Sequence, residues 1–216
     1  MTLLSVLLFG VLLLCGAHTV FGCSCAPSPP HRQLLYCNND IVFIGKIREV
    51  LPAASMDDDH IYHVKVRRVF KGNISGVITV KTPNNGGMCG ITGLVKKEKY
   101  LMTAKSNNDG TYQIQLCQSL ILNKNSVTNE VKRKYNSNRR YSFPGLNDIN
   151  CKTCKIVYCG ESKDGCGSNR PTTCTYYGDY TKIQCFNKLR CIPSASGKSC
   201  RWSSPVCGRP GDITIG

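Results

Sequence analysis

The sequence predicts a mainly β protein in which a small five-stranded barrel precedes a short domain held together by disulfides. Three observations carry this prediction. Five β-branched or aromatic segments alternate with turn signals in the first half of the chain. Nine of the 15 cysteines crowd between Cys151 and Cys207. An apolar run at the start is typical of a secretory leader, which brings cysteines into an oxidising compartment.

The leader is predicted to span residues 1–22. Its apolar run, residues 3–14, carries no charge and is too short to span a bilayer. Val20 and Gly22 suit the positions before a signal-peptidase cut, which makes Cys23 the first residue of the mature chain. The usual basic flank is missing, so a membrane anchor is the alternative. No second apolar run of spanning length follows, and we expect a secreted protein without a membrane span.

The cysteines predict seven disulfides. Removing the leader removes Cys15 and leaves 15 − 1 = 14 cysteines in 216 − 22 = 194 residues. An even number in a secreted chain is typical of a disulfide framework. Zinc ligation is the alternative, because Cys151 and Cys154 form a C-x-x-C, but the irregular spacing of the other cysteines favours bridges.

Cysteine density divides the mature chain into two predicted domains. Five cysteines are spread over residues 23–117, whereas nine fall after residue 150. Residues 23–151 are long enough to bury an ordinary core. Residues 152–216 are poor in apolar runs, so their stability must come largely from crosslinks, each contributing about 2 to 4 kcal/mol.

The predicted strands span residues 41–47, 61–70, 77–82, 100–105 and 111–116. Turn signals such as Lys71-Gly72-Asn73 separate them. Residues 126–138 carry Val127, Val131 and Tyr135 at four-residue spacing, which predicts a short amphipathic helix after the sheet. Five strands with a flanking helix suit a barrel of the oligonucleotide/oligosaccharide-binding (OB) type, although a sandwich has the same periodicity.

Charge indicates an anionic partner. The leader has no Lys, Arg, Asp or Glu, so the mature chain keeps the formal net charge of +15. Such a chain attracts polyanions, which outside the cell are mainly sulfated glycans such as heparan sulfate. A secretory leader and the absence of nucleic-acid motifs argue against nucleic acid. The candidate glycan-binding cluster comprises Lys132, Arg133, Lys134, Arg139 and Arg140, and a smaller cluster comprises Lys96, Lys97 and Lys99.

Two loops carry surface features. Asn73-Ile74-Ser75 is a glycosylation sequon in a predicted turn, and its occupancy is left open. The acidic run at residues 57–59 is interpreted as a solvated loop, with metal binding as the alternative.

The mature chain does not have the residues of an enzyme. Its histidines are His31, His60 and His63, and neither a nucleophile elbow nor H-E-x-x-H is present. We interpret His60 and His63 as ordinary loop and strand residues rather than ligands, and we expect no cofactor.

The mature terminus is the most specific part of the sequence. It begins Cys23-Ser24-Cys25-Ala26-Pro27, followed by Cys37 and by Asn39-Asp40-Ile41-Val42-Phe43-Ile44-Gly45-Lys46. Further motifs follow in order: Met88-Cys89-Gly90, Tyr100-Leu101-Met102-Thr103-Ala104-Lys105, Asp109-Gly110, Cys151 with Cys154, Leu189-Arg190-Cys191-Ile192-Pro193 and Cys200-Arg201-Trp202. Together they resemble the tissue inhibitors of metalloproteinases over nearly the whole mature chain.

The resemblance implies a netrin-like OB barrel with flanking helices at residues 23–151 and a cysteine-rich domain at residues 152–216. It implies bridges between Cys23 and Cys89, Cys25 and Cys117, Cys37 and Cys151, Cys154 and Cys200, Cys159 and Cys166, and Cys174 and Cys191. Cys185 and Cys207 remain as an additional pair that the familiar vertebrate pattern lacks, as expected for an invertebrate-type member.

The resemblance also implies the inhibitory element. The backbone amine and carbonyl of Cys23 would bind the zinc of a matrix metalloproteinase or a related metzincin, with the thiol held in its bridge. The protease-contact residues would be Cys23, Ser24, Cys25, Ala26, Pro27, Met88, Cys89 and Gly90. Three departures stand out: Ser24 replaces a usual Thr, Ile44 replaces a usual Arg and is expected to alter strand packing, and Gly86-Gly87 replace more polar residues of the contact loop.

A second hypothesis is a non-inhibitory netrin-like module that binds extracellular matrix or a growth factor through its basic surface. Only the inhibitor needs a free amine on Cys23. In either case we expect a secreted monomer.

Overall fold

The computed structural model describes residues 23, 25, 30–123, 151–160, 166, 171–178, 185–187 and 189–203. We call residues 23–123 the N-terminal lobe and the described residues from 151 onward the C-terminal lobe. The N-terminal lobe contains one helix, α1 (Arg32–Asn38), and six strands. These are β1 (Ile41–Leu51), β2 (Asp59–Lys71), β3 (Val77–Pro83), β4 (Lys99–Ser106), β5 (Tyr112–Gln113) and β6 (Ile121–Asn123).

Five of these strands close into a barrel. The strand order is β1-β2-β3-β5-β4, and β4 pairs back onto β1, with β6 added to the outer edge of β4. All pairs are antiparallel except β3 with β5. The predicted mainly β barrel is confirmed, and ring closure through β1 and β4 excludes the sandwich.

The fifth predicted strand was too long. It was placed at residues 111–116, but only Tyr112–Gln113 pair as a strand. The chain then turns, because the N–H groups of Gln118 and Ser119 both donate to the carbonyl oxygen of Gln115. Sequence analysis also missed β6, since three residues are too few for alternation to be recognised.

Alternate side chains of the long strands fill the barrel interior, as a period of two requires. Phe43 and Ile47 on β1 and Tyr62 and Val64 on β2 are fully buried. Gly45 lies between them. A Cβ at Gly45 would stand 2.3 Å from Cγ1 of Val64, so the close approach of β1 and β2 requires glycine here.

A second apolar cluster lies outside the barrel, where α1 covers β1 and β4. Leu35 and Tyr36 of α1 pack with Val42, Leu101 and Leu120. Ile44, the position at which the resemblance implied an arginine, joins this cluster from β1 and packs under the helix. The predicted helix at residues 126–138 lies outside the described residues, and the observed helix precedes the sheet.

The C-terminal lobe is made of two small ribbons. Strands β7 (Lys155–Tyr158) and β8 (Thr173–Tyr176) pair in parallel, and β9 (Cys191–Pro193) and β10 (Cys200–Trp202) pair antiparallel. Its core mixes disulfides with aromatic rings, including Tyr176 and Phe186. Among the described residues no helix is long and apolar enough to cross a membrane.

Candidate functional site

Two adjacent disulfides hold Cys23 and Cys25 against one end of the barrel. Cys23 is bonded to Cys89, and Cys25 to Cys117. Sγ of Cys117 lies 3.6 Å from Sγ of Cys23 and 3.8 Å from Sγ of Cys89, so the two bridges are in van der Waals contact. Cys23 and Cys25 therefore cannot move independently of each other.

The loop that carries Cys89 has a tightly defined backbone. A single 3-10 turn, Gly86–Met88, follows Asn85, whose side chain accepts a hydrogen bond from the Gly87 N–H. Cys89 ends the turn with φ of 61°, in the left-handed region that few non-glycine residues adopt. Gly86 and Gly87, which replace more polar residues in the family pattern, thus form the turn that presents Cys89.

The next residue, Gly90, has no space for a side chain. A Cβ there would lie 1.7 Å from the carbonyl oxygen of Pro83. Beyond it, the Ile91 N–H donates to Oγ1 of Thr82 at 2.9 Å, and the Tyr62 hydroxyl donates to the Ile91 carbonyl at 2.8 Å. Burial raises the pKa of Tyr62 to about 12, which keeps this hydroxyl a donor. The loop is therefore fixed on both sides of Cys89.

Apolar side chains flank the two bridges. Met88 is 58% exposed and Leu116 is 53% exposed. The Leu116 N–H donates to the Cys89 carbonyl at 2.8 Å, which ties the two bridged loops together. Exposed apolar groups on a rigid backbone are typical of a protein-binding surface.

The sulfur clusters of the structure are disulfides rather than metal sites. Sulfurs of Cys23, Cys25 and Cys117 lie within 4.8 Å of one another, but all three are bridged. Cys151 and Cys154, the C-x-x-C of the zinc alternative, pair with Cys37 and Cys200 respectively. A bridged sulfur has no thiolate to offer a metal.

The remaining bridges lie in the C-terminal lobe. Cys159 pairs with Cys166, and Cys174 with Cys191. The six bridges of the described residues are the pairs that the resemblance implies. Cys185 is also disulfide-bonded, while Cys207 lies outside the described residues.

Several predicted site residues lie outside the described residues: Ser24, Ala26, Pro27, Lys132, Arg133, Lys134, Arg139 and Arg140. Asn73 is exposed in the turn between β2 and β3, where a glycan would meet solvent. Residues 57–59 are exposed at the tip of the β1–β2 hairpin, in agreement with a solvated loop.

A row of lysines crosses the outside of the barrel. Lys46 on β1 stands directly opposite Lys65 on β2 and opposite Lys99 on β4. Directly opposed side chains share one face of a sheet, where like charges repel. Among the described residues, Lys46, Lys65 and Lys99 form no ion pair with a carboxylate. Sequence analysis grouped Lys99 with its chain neighbours and missed the row, which only strand register reveals.

The three mature histidines occupy different environments. His60 and His63 both lie on β2, as expected for ordinary strand residues, and Nδ1 of His63 lies 2.9 Å from Glu49. His31 is only 1% exposed and caps α1. Its Nδ1 accepts the Gln33 N–H at 3.1 Å, and its Nε2 donates to the Phe186 carbonyl at 2.8 Å. Burial lowers the pKa of His31 to about 4.

Comparisons with known proteins agree with this geometry. The model of the family described as tissue inhibitor of metalloproteinase matches residues 22–202. Metalloproteinase inhibitor 2 of Rattus norvegicus is 27% identical over 193 residues, covering 83% of this chain and 80% of the relative. The Homo sapiens protein of that name has the same identity and coverage. The Gallus gallus protein is 33% identical over 159 residues, covering 69% of this chain and 66% of the relative.

Proposed function

The chain belongs to the tissue inhibitor of metalloproteinase family and is an inhibitor rather than an enzyme, and on this premise we propose that it blocks zinc proteases of the matrix metalloproteinase type through the backbone amine and carbonyl of Cys23. The observation that carries the proposal is the pair of touching bridges that fix Cys23 and Cys25 at one end of the barrel. Related metzincins are further targets in the proposal, since they bind zinc in the same open manner.

The donor set of Cys23 fits such a zinc ion. Proteases of this type hold zinc with three protein ligands and leave one position for the water that attacks the substrate. The Cys23 sulfur is bridged, so the available donors are the α-amine and the carbonyl oxygen, which close a five-membered chelate. An α-amine has a reference pKa of about 7.7 to 8.0 and loses its proton readily near neutral pH. The proposal therefore includes cleavage after Gly22 and secretion.

Rigidity supports tight binding. The conformational entropy that a flexible terminus loses on binding is an unfavourable contribution to affinity. The Cys23–Cys89 and Cys25–Cys117 bridges, together with the fixed Cys89 loop, remove that freedom in the unbound protein. In this proposal the bridges act by holding the chelating atoms in place.

The surface around the bridges supplies the rest of the contact. Met88 and Leu116 would pack against the protease beside the zinc, and Gly90 lets the chain pass closely under Pro83. Ser24 would point to the primary specificity pocket. Serine lacks the methyl group of the family's usual threonine, a difference of about 1 kcal/mol if fully buried, so we expect a change in selectivity more than in inhibition itself.

An added residue tests the chelate. A form processed to carry one alanine before Cys23 converts the amine to an amide, which is a poor zinc ligand. We expect inhibition of matrix metalloproteinase catalytic domains to fall by orders of magnitude, with disulfides and thermal unfolding unchanged. Native protein with a carbamylated α-amine should lose inhibition in the same way as the extended form. Equal inhibition by the native and extended proteins would reject terminal chelation and favour the matrix-module hypothesis.

The lysine row favours a second function, binding of sulfated glycans. Lys46 stands directly opposite both Lys65 and Lys99, and a polyanion would relieve the repulsion between these like charges. The row adds to the basic cluster predicted at residues 132–140. Binding would retain the secreted inhibitor in the extracellular matrix near its targets.

Heparin chromatography tests the row. Replacing all three lysines of the row with glutamine should lower the salt concentration needed for elution and flatten the dependence of affinity on salt. The matched control neutralises three scattered exposed residues, Lys105, Lys198 and Arg201, which changes the net charge equally. If both triple variants elute together, net charge rather than the row determines binding.

A further inference from the structure

The two lobes meet at the start of α1, through hydrogen bonds that sequence analysis did not predict. The Arg32 N–H donates to Oδ1 of Asn187 at 2.9 Å. The Gln33 amide pairs with the backbone of Cys191 in both directions: Nε2 donates to the carbonyl at 3.1 Å, and Oε1 accepts the N–H at 2.9 Å. Gln33 is 4% exposed and Cys191 is 2% exposed, so these bonds are shielded from water.

These bonds satisfy groups that a helix cannot satisfy by itself. The first N–H groups of any helix have no partner within the helix. In α1 the Arg32 N–H is bonded by Asn187, and the Gln33 N–H by His31, which itself bonds Phe186. The first turn of α1 is therefore capped jointly by His31 and by Asn187 of the C-terminal lobe, and we call the hydrogen bonds of His31, Arg32 and Gln33 with that lobe the lobe clamp.

The far end of α1 is held differently. Cys37 is bridged to Cys151, and Nζ of Lys71 donates to the carbonyl oxygens of Tyr36, Cys37 and Asn39. Loss of the lobe clamp would therefore free the first turn while the last turn stays attached.

The first turn of α1 is also the second anchor of the inhibitory terminus. Cys25 is fixed by its bridge to Cys117, and the lobe clamp begins at His31. Residues 26–30 join the two anchors and can extend over at most about 20 Å. A chain fixed at both ends has fewer conformations than one fixed at a single end, so less entropy is lost when it binds.

We propose that the C-terminal lobe positions the inhibitory segment through the lobe clamp, with Asn187 and Gln33 as positioning residues. The inference rests on the proposed function, in which residues 23–27 contact the protease. Asn187 acts through α1 from the opposite lobe, and its loss weakens the second anchor, so that complexes with a protease dissociate faster.

The full-length chain with Asn187→Ala tests this proposal against two companions. Asn187→Asp keeps an oxygen that accepts the Arg32 N–H, so it should behave as the native protein. Ser203→Ala removes a bond of similar length within the C-terminal lobe, from the Arg190 N–H to Oγ of Ser203 at 3.0 Å, without touching α1. It controls for general weakening of that lobe.

Two measurements are made on each protein. The first is the dissociation rate from an isolated matrix metalloproteinase catalytic domain. Loss of this partly buried hydrogen bond, which lies within the inhibitor and not at the protease interface, should raise this rate by up to about tenfold in Asn187→Ala only. The second is amide hydrogen exchange of the unbound inhibitor, which should accelerate in Asn187→Ala only, at Arg32 and at the residues of this segment that carry a backbone N–H (Ser24, Cys25, Ala26 and Ser28), with the barrel strands unchanged.

Each outcome decides the proposal. Faster dissociation together with faster exchange in residues 23–30, restored by Asn187→Asp, supports it. If amide exchange in that segment is unchanged, the proposal is wrong whatever the dissociation rate. It is also wrong if Asn187→Ala dissociates at the same rate as the native inhibitor. Equal effects from Ser203→Ala also overturn it. If the native chain does not inhibit, the proposed function fails, and the exchange measurement alone decides whether the lobe clamp positions the segment.

Discussion

Acid should weaken the protein through His31, because the native structure holds this ring neutral. Its Nδ1 must stay unprotonated to accept the Gln33 N–H, while its Nε2–H donates to Phe186. The rings of Tyr176 and Trp202 pack beside it at centroid distances of 5.7 and 5.2 Å. Burial is the main reason that the pKa falls from 6.5 to about 4, and the positive charge of Arg32 lowers it further.

The sign and size of the effect follow from this difference. Between pH 6.5 and 4 the unfolded chain takes up a proton at His31 that the folded chain does not. The stability that the neutral ring of His31 contributes is therefore complete above pH 6.5 and is lost progressively as the pH falls to 4. The difference between a pKa of 6.5 and one of about 4 corresponds to about 3 kcal/mol, most of which is lost by pH 4.5.

Denaturant unfolding at pH 7 and pH 4.5, with disulfides intact, measures this loss. His31→Asn keeps a side-chain oxygen for the cap but does not titrate. Between these two pH values it should therefore lose about 2 to 3 kcal/mol less stability than the native protein. His63→Asn, at a partly exposed position, is the histidine control and should still lose stability through His31 on acidification. If His31→Asn loses as much stability as the native protein on acidification, the assignment of a neutral buried His31 is wrong.

Three further predictions concern other parts of the molecule. Residues 23–151, oxidised and expressed alone, should fold and inhibit an isolated matrix metalloproteinase catalytic domain. Complete loss of inhibition in a correctly bridged fragment would contradict the assignment of the contact residues. Gly90→Ala should lower stability by on the order of 2 to 3 kcal/mol, because the new Cβ collides with the carbonyl oxygen of Pro83. Gly86→Ala is the control, because a Cβ there meets open space, and thermal unfolding compares the two variants. Lys71→Met should lower stability by about 1 to 3 kcal/mol in denaturant unfolding, because it leaves carbonyl groups at the end of α1 without their donor.

The barrel was predictable because its signal is local. Alternation of apolar and polar residues along residues 41–47 and 61–70 indicates the buried face of each strand, and this signal does not depend on which strand is its partner. Register was not predictable from alternation. β1 and β2 shift register at three places, including between Ile44 and Gly45, and each shift changes which residues stand opposite one another. The lysine row depends on those shifts.

The candidate site was predictable only in part, for a similar reason. Cys23, Cys25 and Cys89 could be recognised from their order in the chain. The left-handed backbone of Cys89 and the contact of Gly90 with Pro83 depend on how the loop folds back on β3. The short helix α1 was missed because seven residues give too few turns for a period of 3.6 to be recognised.

The lobe clamp joins the two lobes across the domain boundary that the sequence predicts at residue 151. Cysteine density changes there, which is why the sequence suggests two independent domains. The bonds of the clamp nevertheless join residues 155 to 158 positions apart, a separation at which no sequence pattern pairs a glutamine with a backbone. A fragment ending at residue 151 exposes His31 and Gln33, whose polar atoms then bond to water instead of Phe186 and Cys191. Such a fragment keeps the bridges of Cys23 and Cys25 but has a less ordered second anchor. It should therefore inhibit a catalytic domain with faster dissociation than the full chain, and Asn187→Ala in the full chain should move the dissociation rate toward that of the fragment.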